Sequence, residues 1–191
     1  VRDSGTADPT TLVVSPGASI GTNNIGHCGS NGCYGNRERQ IFGSSLAYMS
    51  GGTVGGNYQG TFAGNDNATL NFTGGSVRHT IMNVTSTLNM AGGTLRHNFH
   101  ARGNSLSHIY AGSLDGHLYG ENESTVNFHG GTVAGSLQTS STSVVNLDGG
   151  IVTGNITATA NSIVNLTPPS TVGGNVTATG DAAVTLAALS S

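Results

Sequence analysis

Short runs of alternating apolar and polar residues recur along the chain, and most of them end in a pair of glycines. The alternation has the two-residue period of a β-strand and not the 3.6-residue period of a helix. One copy, residues 145–152, reads Val-Asn-Leu-Asp-Gly-Gly-Ile-Val. Sharp turns need positive φ, which glycine adopts freely. The pattern therefore predicts short strands closed by glycine turns at Gly51-Gly52, Gly74-Gly75, Gly92-Gly93, Gly130-Gly131 and Gly149-Gly150.

The spacing of these turns is nearly constant. Ala111-Gly112 and Pro168-Pro169 stand where further pairs are due, and from Gly74 the steps are 18, 19, 19, 19 and 19 residues. A fixed period of this size is typical of a solenoid, whose coils bury their apolar sides by stacking about 4.8 Å apart. The sequence therefore predicts an all-β fold, a right-handed parallel β-helix with coils of about 19 residues.

The whole chain, 1–191, reads as one solenoid domain. Residues 14–23 resemble residues 166–175, including a proline turn and one extra residue, so the N-terminal stretch is expected to be a coil already. Residues 24–44 break the period and are interpreted as an insertion between coils. Cys28 and Cys33, the two cysteines, lie in this insertion, and the glycine and asparagine between them favour a small disulfide loop. A metal site with His27 is the alternative, but it is one ligand short of a structural zinc site.

Stacking in register predicts columns of like residues. In such a column asparagine amides can hydrogen-bond along the stack, as they do in other stacked β-structures. We interpret the column as structural, with a polar binding stripe as the alternative. His108 fills the one missing rung of this ladder, which comprises Asn71, Asn89, Asn127, Asn146 and Asn165.

Arginine and histidine also recur at matched positions after the glycine pair. Arg78 and Arg96 are each three residues after the second glycine, and His79 and His97 are each four residues after it. Aligned imidazoles can bind transition metals or change charge near pH 6.5. No acidic second shell accompanies them, so no metal is expected. We predict a contact surface formed by these four residues together with insertion residues His27, Tyr34, Arg37 and Arg39.

Acidic residues are too few and too scattered to favour an enzyme. Asp115, Glu121 and Glu123 form the one acidic cluster, whereas polysaccharide cleavage needs two carboxylates across a cleft, or acids that hold calcium beside a basic residue. The chain is therefore expected to have no catalytic residues and no cofactor. A lyase-like, carbohydrate-active enzyme is the alternative, with its site at Arg96, His97, Asp115 and His117.

The composition of the chain limits the kinds of partner that it is expected to bind. The formal net charge is −3 and charged residues make up 8% of the chain, so nucleic-acid binding is not expected. No apolar run reaches the roughly 20 residues of a membrane-spanning helix. The final copy, residues 182–189, is apolar and lacks a polar cap. We therefore expect it to continue into another segment or to meet another subunit.

The coils at residues 145–156, Val-Asn-Leu-x-Gly-Gly-x-Val-x-Gly-Asn-Ile, resemble the passenger domains of bacterial autotransporters. The 19-residue step also resembles the repeats of filamentous-haemagglutinin-type secreted adhesins. The resemblance covers residues 46–189. It implies a non-enzymatic adhesive or structural β-helix, extracellular or on the bacterial cell surface, that belongs to a larger surface protein or filament. Expected partners are other copies, through open ends or lateral faces, and a host or matrix ligand. The cysteine pair departs from the family, where cysteines are uncommon.

Overall fold

The computed structural model describes residues 11–20, 38–41, 44–54 and 61–187. All regular elements in these ranges are strands, and their pairings are parallel. They stack into a β-solenoid of about seven turns with coils of about 19 residues. The predicted all-β parallel solenoid is confirmed, and its right-handed turn stays a prediction. Within the described ranges no helix could cross a membrane.

Each complete coil has three strands, so the solenoid has three faces. Face A carries the longest strands, which precede the glycine turn. Its strands are β1 (Thr11–Val14), the first parts of β4 (Leu46–Val54) and β6 (Thr69–Val77), β8 (Thr87–Met90), β11 (Leu106–Ile109), β14 (Thr125–Phe128), β17 (Val144–Leu147), β20 (Ile163–Leu166) and β23 (Ala183–Leu186).

Face B follows the glycine turn and continues from face A through β4 and β6 within one 15-stranded sheet. Its strands are β2 (Ser19–Ile20), the last parts of β4 and β6, β9 (Thr94–Leu95), β12 (Ser113–Leu114), β15 (Thr132–Val133), β18 (Ile151–Val152) and β21 (Thr171–Val172).

Face C is a separate eight-stranded sheet that closes the triangle. Its strands are β3 (Glu38–Ile41), β5 (Thr61–Gly64), β7 (His79–Met82), β10 (Phe99–Ala101), β13 (Leu118–Gly120), β16 (Leu137–Thr139), β19 (Ile156–Ala158) and β22 (Val176–Ala178).

The core consists of side-chain columns that run along the solenoid axis. Alternate residues of each strand point inward, and the register sets each apolar side chain over its equivalent in the previous coil. Each buried aliphatic or aromatic side chain contributes roughly 1.5–3 kcal/mol. The bulkiest inward column of face A is at most 6% exposed and contains Phe72, Met90, Ile109, Phe128, Leu147 and Leu166.

The glycine turn between faces A and B imposes two constraints. The second glycine of the turn has positive φ throughout, for example +97° at Gly131. The neighbouring coil also lies close, and a Cβ on Gly131 would overlap the carbonyl oxygen of Gly112. The sequence predicts positive φ at this position, and the structure has it. The column comprises Gly52, Gly75, Gly93, Gly112, Gly131 and Gly150.

A second turn, between faces C and A, ends in a buried residue that is usually serine. The backbone N–H of Ser86 donates to the carbonyl of Asn83 at 3.1 Å, and Ser162 donates equivalently to Thr159 at 3.3 Å. The serine hydroxyls lie at the edge of the core, where several of them bond to turn backbone. The buried serines, at most 1% exposed, are Ser45, Ser86, Ser105, Ser124, Ser143 and Ser162.

The structure also locates the first coil. Strands β1 and β2 both pair with β4, so the stretch before the insertion is part of the stack. Within the span 24–44, β3 pairs with β5 on face C. Arg39 lies in β3, whereas the other predicted residues of the insertion fall outside the described residues: His27, Cys28, Cys33, Tyr34 and Arg37.

Candidate functional site

The asparagine ladder occupies the outward central column of face A. Asn89 donates its Nδ2–H to Oδ1 of Asn71 at 3.0 Å, and Asn165 donates to Asn146 at 2.8 Å. Asn127 receives a similar bond from Asn146 at 2.8 Å, and its own Nδ2 lies 3.5 Å from Nδ1 of His108. The amides bond to one another along the stack, and this arrangement agrees with the interpretation of the column as structural.

A second ladder runs along the corner between faces B and C. Here a side chain of one coil accepts a hydrogen bond from the backbone N–H of the next coil. Asn98 accepts from His117 at 3.1 Å, and Nδ1 of His117 accepts from Ser136 at 2.9 Å. Ser136 accepts from Asn155 at 3.2 Å, and Asn155 accepts from Asn175 at 2.9 Å. His117 is therefore a ladder member whose Nδ1 is unprotonated.

The same corner carries the predicted arginine and histidine pairs. We call Arg78, His79, Arg96 and His97 the basic corner. The register that sets Leu95 over Val77 also sets Arg96 over Arg78. The rings of His79 and His97 stack with centroids 4.7 Å apart and planes 18° apart. Burial lowers the pKa of His79, and the positive charges of His97, Arg78 and His100 lower it further.

A charged cluster lies beside face C, near the turn to face A. Glu121 forms an ion pair with Arg102 and a hydrogen bond with His100, whose Nδ1 is 3.2 Å from the carboxylate. The ring of His100 stacks on Tyr119 of the next coil at 4.5 Å. Burial lowers the pKa of His100 and outweighs the opposing hydrogen bond to Glu121. For Glu121 burial acts to raise the pKa, but the bonds from Arg102 and His100 hold it below its usual value.

A third group of rings lies on face A at its border with the glycine turn. Tyr110 stacks on His129 at 4.8 Å, and His108 stacks on both at 6.0 Å. Nδ1 of His129 lies 2.8 Å from the carboxylate of Asp148 on the next coil. The carboxylate of Asp148 accepts a hydrogen bond from Nδ1–H of His129.

The residues of the alternative enzyme site lie on two adjacent coils of one corner. Asp115 stands one coil after Arg96 in the same column, and His117 is in the second ladder. The acidic cluster itself is divided, because Asp115 precedes β13 whereas Glu121 and Glu123 follow it. Glu121 is also engaged with Arg102 and His100. The structure thus brings the four residues of this alternative to one corner, whereas Glu121 and Glu123 lie at the other end of β13.

The same geometry shows whether side chains are arranged to bind a metal ion. Among the residues with described side chains, no three histidine, cysteine, aspartate or glutamate side chains converge as a metal site would require.

Two of these arrangements were missed by the sequence reasoning. The second ladder mixes asparagine, histidine and serine, so its members do not look alike, although Asn98, His117, Ser136 and Asn155 are spaced by 19 residues. The ion pairs of Glu121 and Asp148 join residues 19 to 21 positions apart. A search for opposite charges at one coil spacing would have found both.

Comparison of the chain with models of known protein families, with curated proteins and with solved structures found no match.

Proposed function

We propose that this chain is a non-enzymatic, extracellular β-solenoid with an adhesive or structural role at a bacterial surface. The observation that carries the proposal is the arrangement of polar side chains in straight columns on the outside of the stack. Such columns suit contact with an extended partner, because they repeat one chemical group at the spacing of the coils. The predicted contact surface is the basic corner together with the insertion.

The arrangement of the acids favours binding over catalysis. An active site needs an acid, a base or a nucleophile within reach of one reacting atom. Glu121 instead bonds to Arg102 and His100 of the preceding coil, and Asp148 bonds to His129. Asp115 lies at the other end of β13 from Glu121. The polar residues are thus used along the stack rather than gathered around a pocket.

Binding and turnover measured on one preparation test this proposal. The purified chain is applied to immobilised matrix polysaccharides and to fixed cells, and cleavage of polygalacturonate and alginate is followed by the absorbance of unsaturated products. We expect saturable binding with no cleavage. Cleavage that disappears in the Asp115→Ala variant would establish the enzyme instead, and absence of binding to every surface would reject an adhesive role.

We further propose that copies associate through the end of the stack formed by β21, β22 and β23. Among the described residues these strands are the last of their sheets, and Leu186 in β23 and Val176 in β22 are 73% and 44% exposed. Unpaired strand edges with apolar side chains are templates for another strand.

Sedimentation velocity over a range of concentrations tests this association. Leu186→Glu is expected to shift the protein towards monomer, whereas Ile151→Glu replaces a 47% exposed residue on face B and serves as the matched control. A stronger effect of the control would place the contact on a lateral face. A monomer at all concentrations would reject self-association.

A further inference from the structure

The cations of the basic corner stand on adjacent coils in the same columns. Arg96 follows Arg78, and the ring of His97 lies 4.7 Å from that of His79. Like charges directly opposite each other on neighbouring strands are destabilising. The chain sets Arg78 and Arg96 in this arrangement on two consecutive coils, although its charged residues are only 8% of the total.

Elsewhere on the same surface, the register places opposite charges together. Glu121 lies one coil beyond His100 and Arg102 and bonds to both, and Asp148 lies one coil beyond His129. At the basic corner the equivalent carboxylate is Asp115, one coil beyond Arg96. In the part of the chain that the structure describes, Asp115 makes no ion pair with Arg96 or His97. Arg96 and His97 are both exposed, so a ligand can reach their side chains.

One column of this corner carries no side chains in the coils that follow the cations. The column that starts with His79 and His97 continues with glycine in each later coil, so no side chain stands above the backbone there. Each glycine lies so close to the previous coil that a side chain would not fit. A strip of bare backbone therefore leads away from the imidazoles, along Gly116, Gly135, Gly154 and Gly174.

We propose that the basic corner binds an acidic polysaccharide, whose anionic groups bond to Arg96 and His97 on one coil and to Arg78 and His79 on the coil before it. The proposal rests on the proposed adhesive function and names its ligand class. Coils are about 4.8 Å apart, which is comparable with the length of one sugar ring. An extended chain with one acidic group per sugar therefore matches the repeat of the cations, and its neutral portion can lie along the glycine strip.

The charge distribution favours an acidic glycan over a nucleic acid. Nucleic-acid binding draws on a broad field of arginine and lysine. This chain contains six such residues in all and has a net charge of −3. The basic corner is limited to two coils and is followed by Asp115, so it fits a short stretch of widely spaced charges.

Protonation of His79 is expected to make binding at this site depend on pH. In the free protein the pKa of His79 is lowered by burial and by His97, Arg78 and His100, which face it from the corner and from β10. Of the carboxylates, Glu121 bonds to His100 and Asp115 follows Arg96. A bound anion favours charged His79, so binding takes up a proton and tightens as the pH falls from 7.5 to 5.5.

The test measures binding to polygalacturonate, which carries carboxylates, to dextran sulfate, which carries sulfates, and to neutral dextran. Wild type is compared with Arg96→Gln/His97→Gln, and Gln138→Glu on face C serves as the control because it also lowers the net charge. Unchanged melting temperatures exclude unfolding. We expect the double variant to weaken binding to one or both acidic polymers at least about tenfold, or about 1.4 kcal/mol, and the control to stay within about twofold of wild type.

Each outcome of these binding measurements supports or overturns one part of the inference. Preference for polygalacturonate identifies a uronate ligand, and preference for dextran sulfate identifies a sulfated one. Equal losses in the double variant and the control, binding to neutral dextran of the same strength, or tighter binding to duplex DNA than to either polymer would overturn the inference. If the double variant still adheres to cells but no acidic polymer binds, the ligand class is wrong and the adhesive role stands.

Discussion

At the scale of single residues, the fold depends on a few backbone positions that repeat once per coil. The turn from face C to face A has positive φ at its second residue, from +55° at Asp66 to +71° at Gly180. Asparagine, aspartate and glycine tolerate this conformation, whereas a β-branched residue does not. Val84, with a φ of +57°, is therefore the strained member of the column.

The first prediction is that Val84→Asn stabilises the protein. Val84 is 51% exposed, so little packing is lost, and relief of the left-handed strain is expected to add about 1 kcal/mol to the free energy of unfolding. Urea unfolding followed by circular dichroism measures the change. Thr85→Asn, at the next and also exposed position, is the control and should have no such effect; equal gains in both would show that φ is not the cause.

The second prediction concerns the glycine column. Gly131→Ala places a methyl group against the Gly112 backbone and also strains φ, so a loss of more than about 2 kcal/mol is expected. Gly17→Ala meets nothing within 4 Å and strains only φ, at +81°, so it should cost about 1 kcal/mol. Thermal unfolding of both variants separates the cost of overlap with the neighbouring coil from the cost of the strained φ. Similar losses at the two sites would contradict the close approach of the coils.

At the scale of elements, side-chain ladders join each strand to its successor. The ladder at the corner of faces B and C is the less obvious one, because it bonds side chains to backbone N–H groups rather than to one another. Each bond satisfies a donor that the strand pairing leaves free. The identity of the residue therefore matters less than its ability to accept a hydrogen bond.

The third prediction follows from that requirement. His117→Asn keeps an acceptor like those at Asn98 and Asn155 and should be nearly neutral, whereas His117→Leu should cost about 1–2 kcal/mol because it leaves the Ser136 N–H without its acceptor. Hydrogen exchange at that amide is the specific readout, and only the leucine variant should speed it. Equal exchange in both variants would mean that another group accepts the bond.

The sequence predicts the elements better than it predicts the chemistry between them. The glycine pairs and the asparagines repeat as identical residues, so their register can be read directly, and the rings of His79 and His97 do stack. The buried serines were missed although Ser86, Ser105 and Ser124 are spaced by 19 residues, because serine in a turn looks like ordinary loop composition. The ion pair of Arg102 with Glu121 was missed because the two residues are unlike, although they are 19 positions apart.

At the scale of the whole molecule, stability is the sum of coils and of the contacts between neighbours. The coils from β8 to β19 are covered on both sides by other coils. Residues 173–180, in the last described coil, are exposed throughout. Local opening is therefore expected to begin at that end and to spare the centre.

The fourth prediction is that the molecule loses stability in two steps as the pH falls. His79 and His100 have pKa values lowered from 6.5, so just below that pH the unfolded chain binds more protons than the folded one and the free energy of unfolding decreases. Glu121, whose pKa is also lowered, contributes a separate loss below its usual value of 4.5.

Melting temperatures between pH 7.5 and 3 measure both steps of this fourth prediction. The variant His79→Gln/His100→Gln should flatten the step below pH 6.5, and Glu121→Gln should flatten the step below pH 4.5. A wild-type melting temperature that does not change between pH 7.5 and 5.5 would contradict the assignment.

The parallel register has one further consequence, which concerns how such a molecule can change its length. Phe128 and Leu147 occupy the same place in successive coils, so removing residues 126–144 joins Thr125 to Val145 without shifting any column. The fifth prediction is that this deletion variant folds with an unchanged circular dichroism spectrum and is shorter by one step of about 4.8 Å in small-angle X-ray scattering. The length of the solenoid can thus change in steps of one coil. Duplication or loss of 19 codons in the gene would change the distance between its basic corner and its far end by one such step.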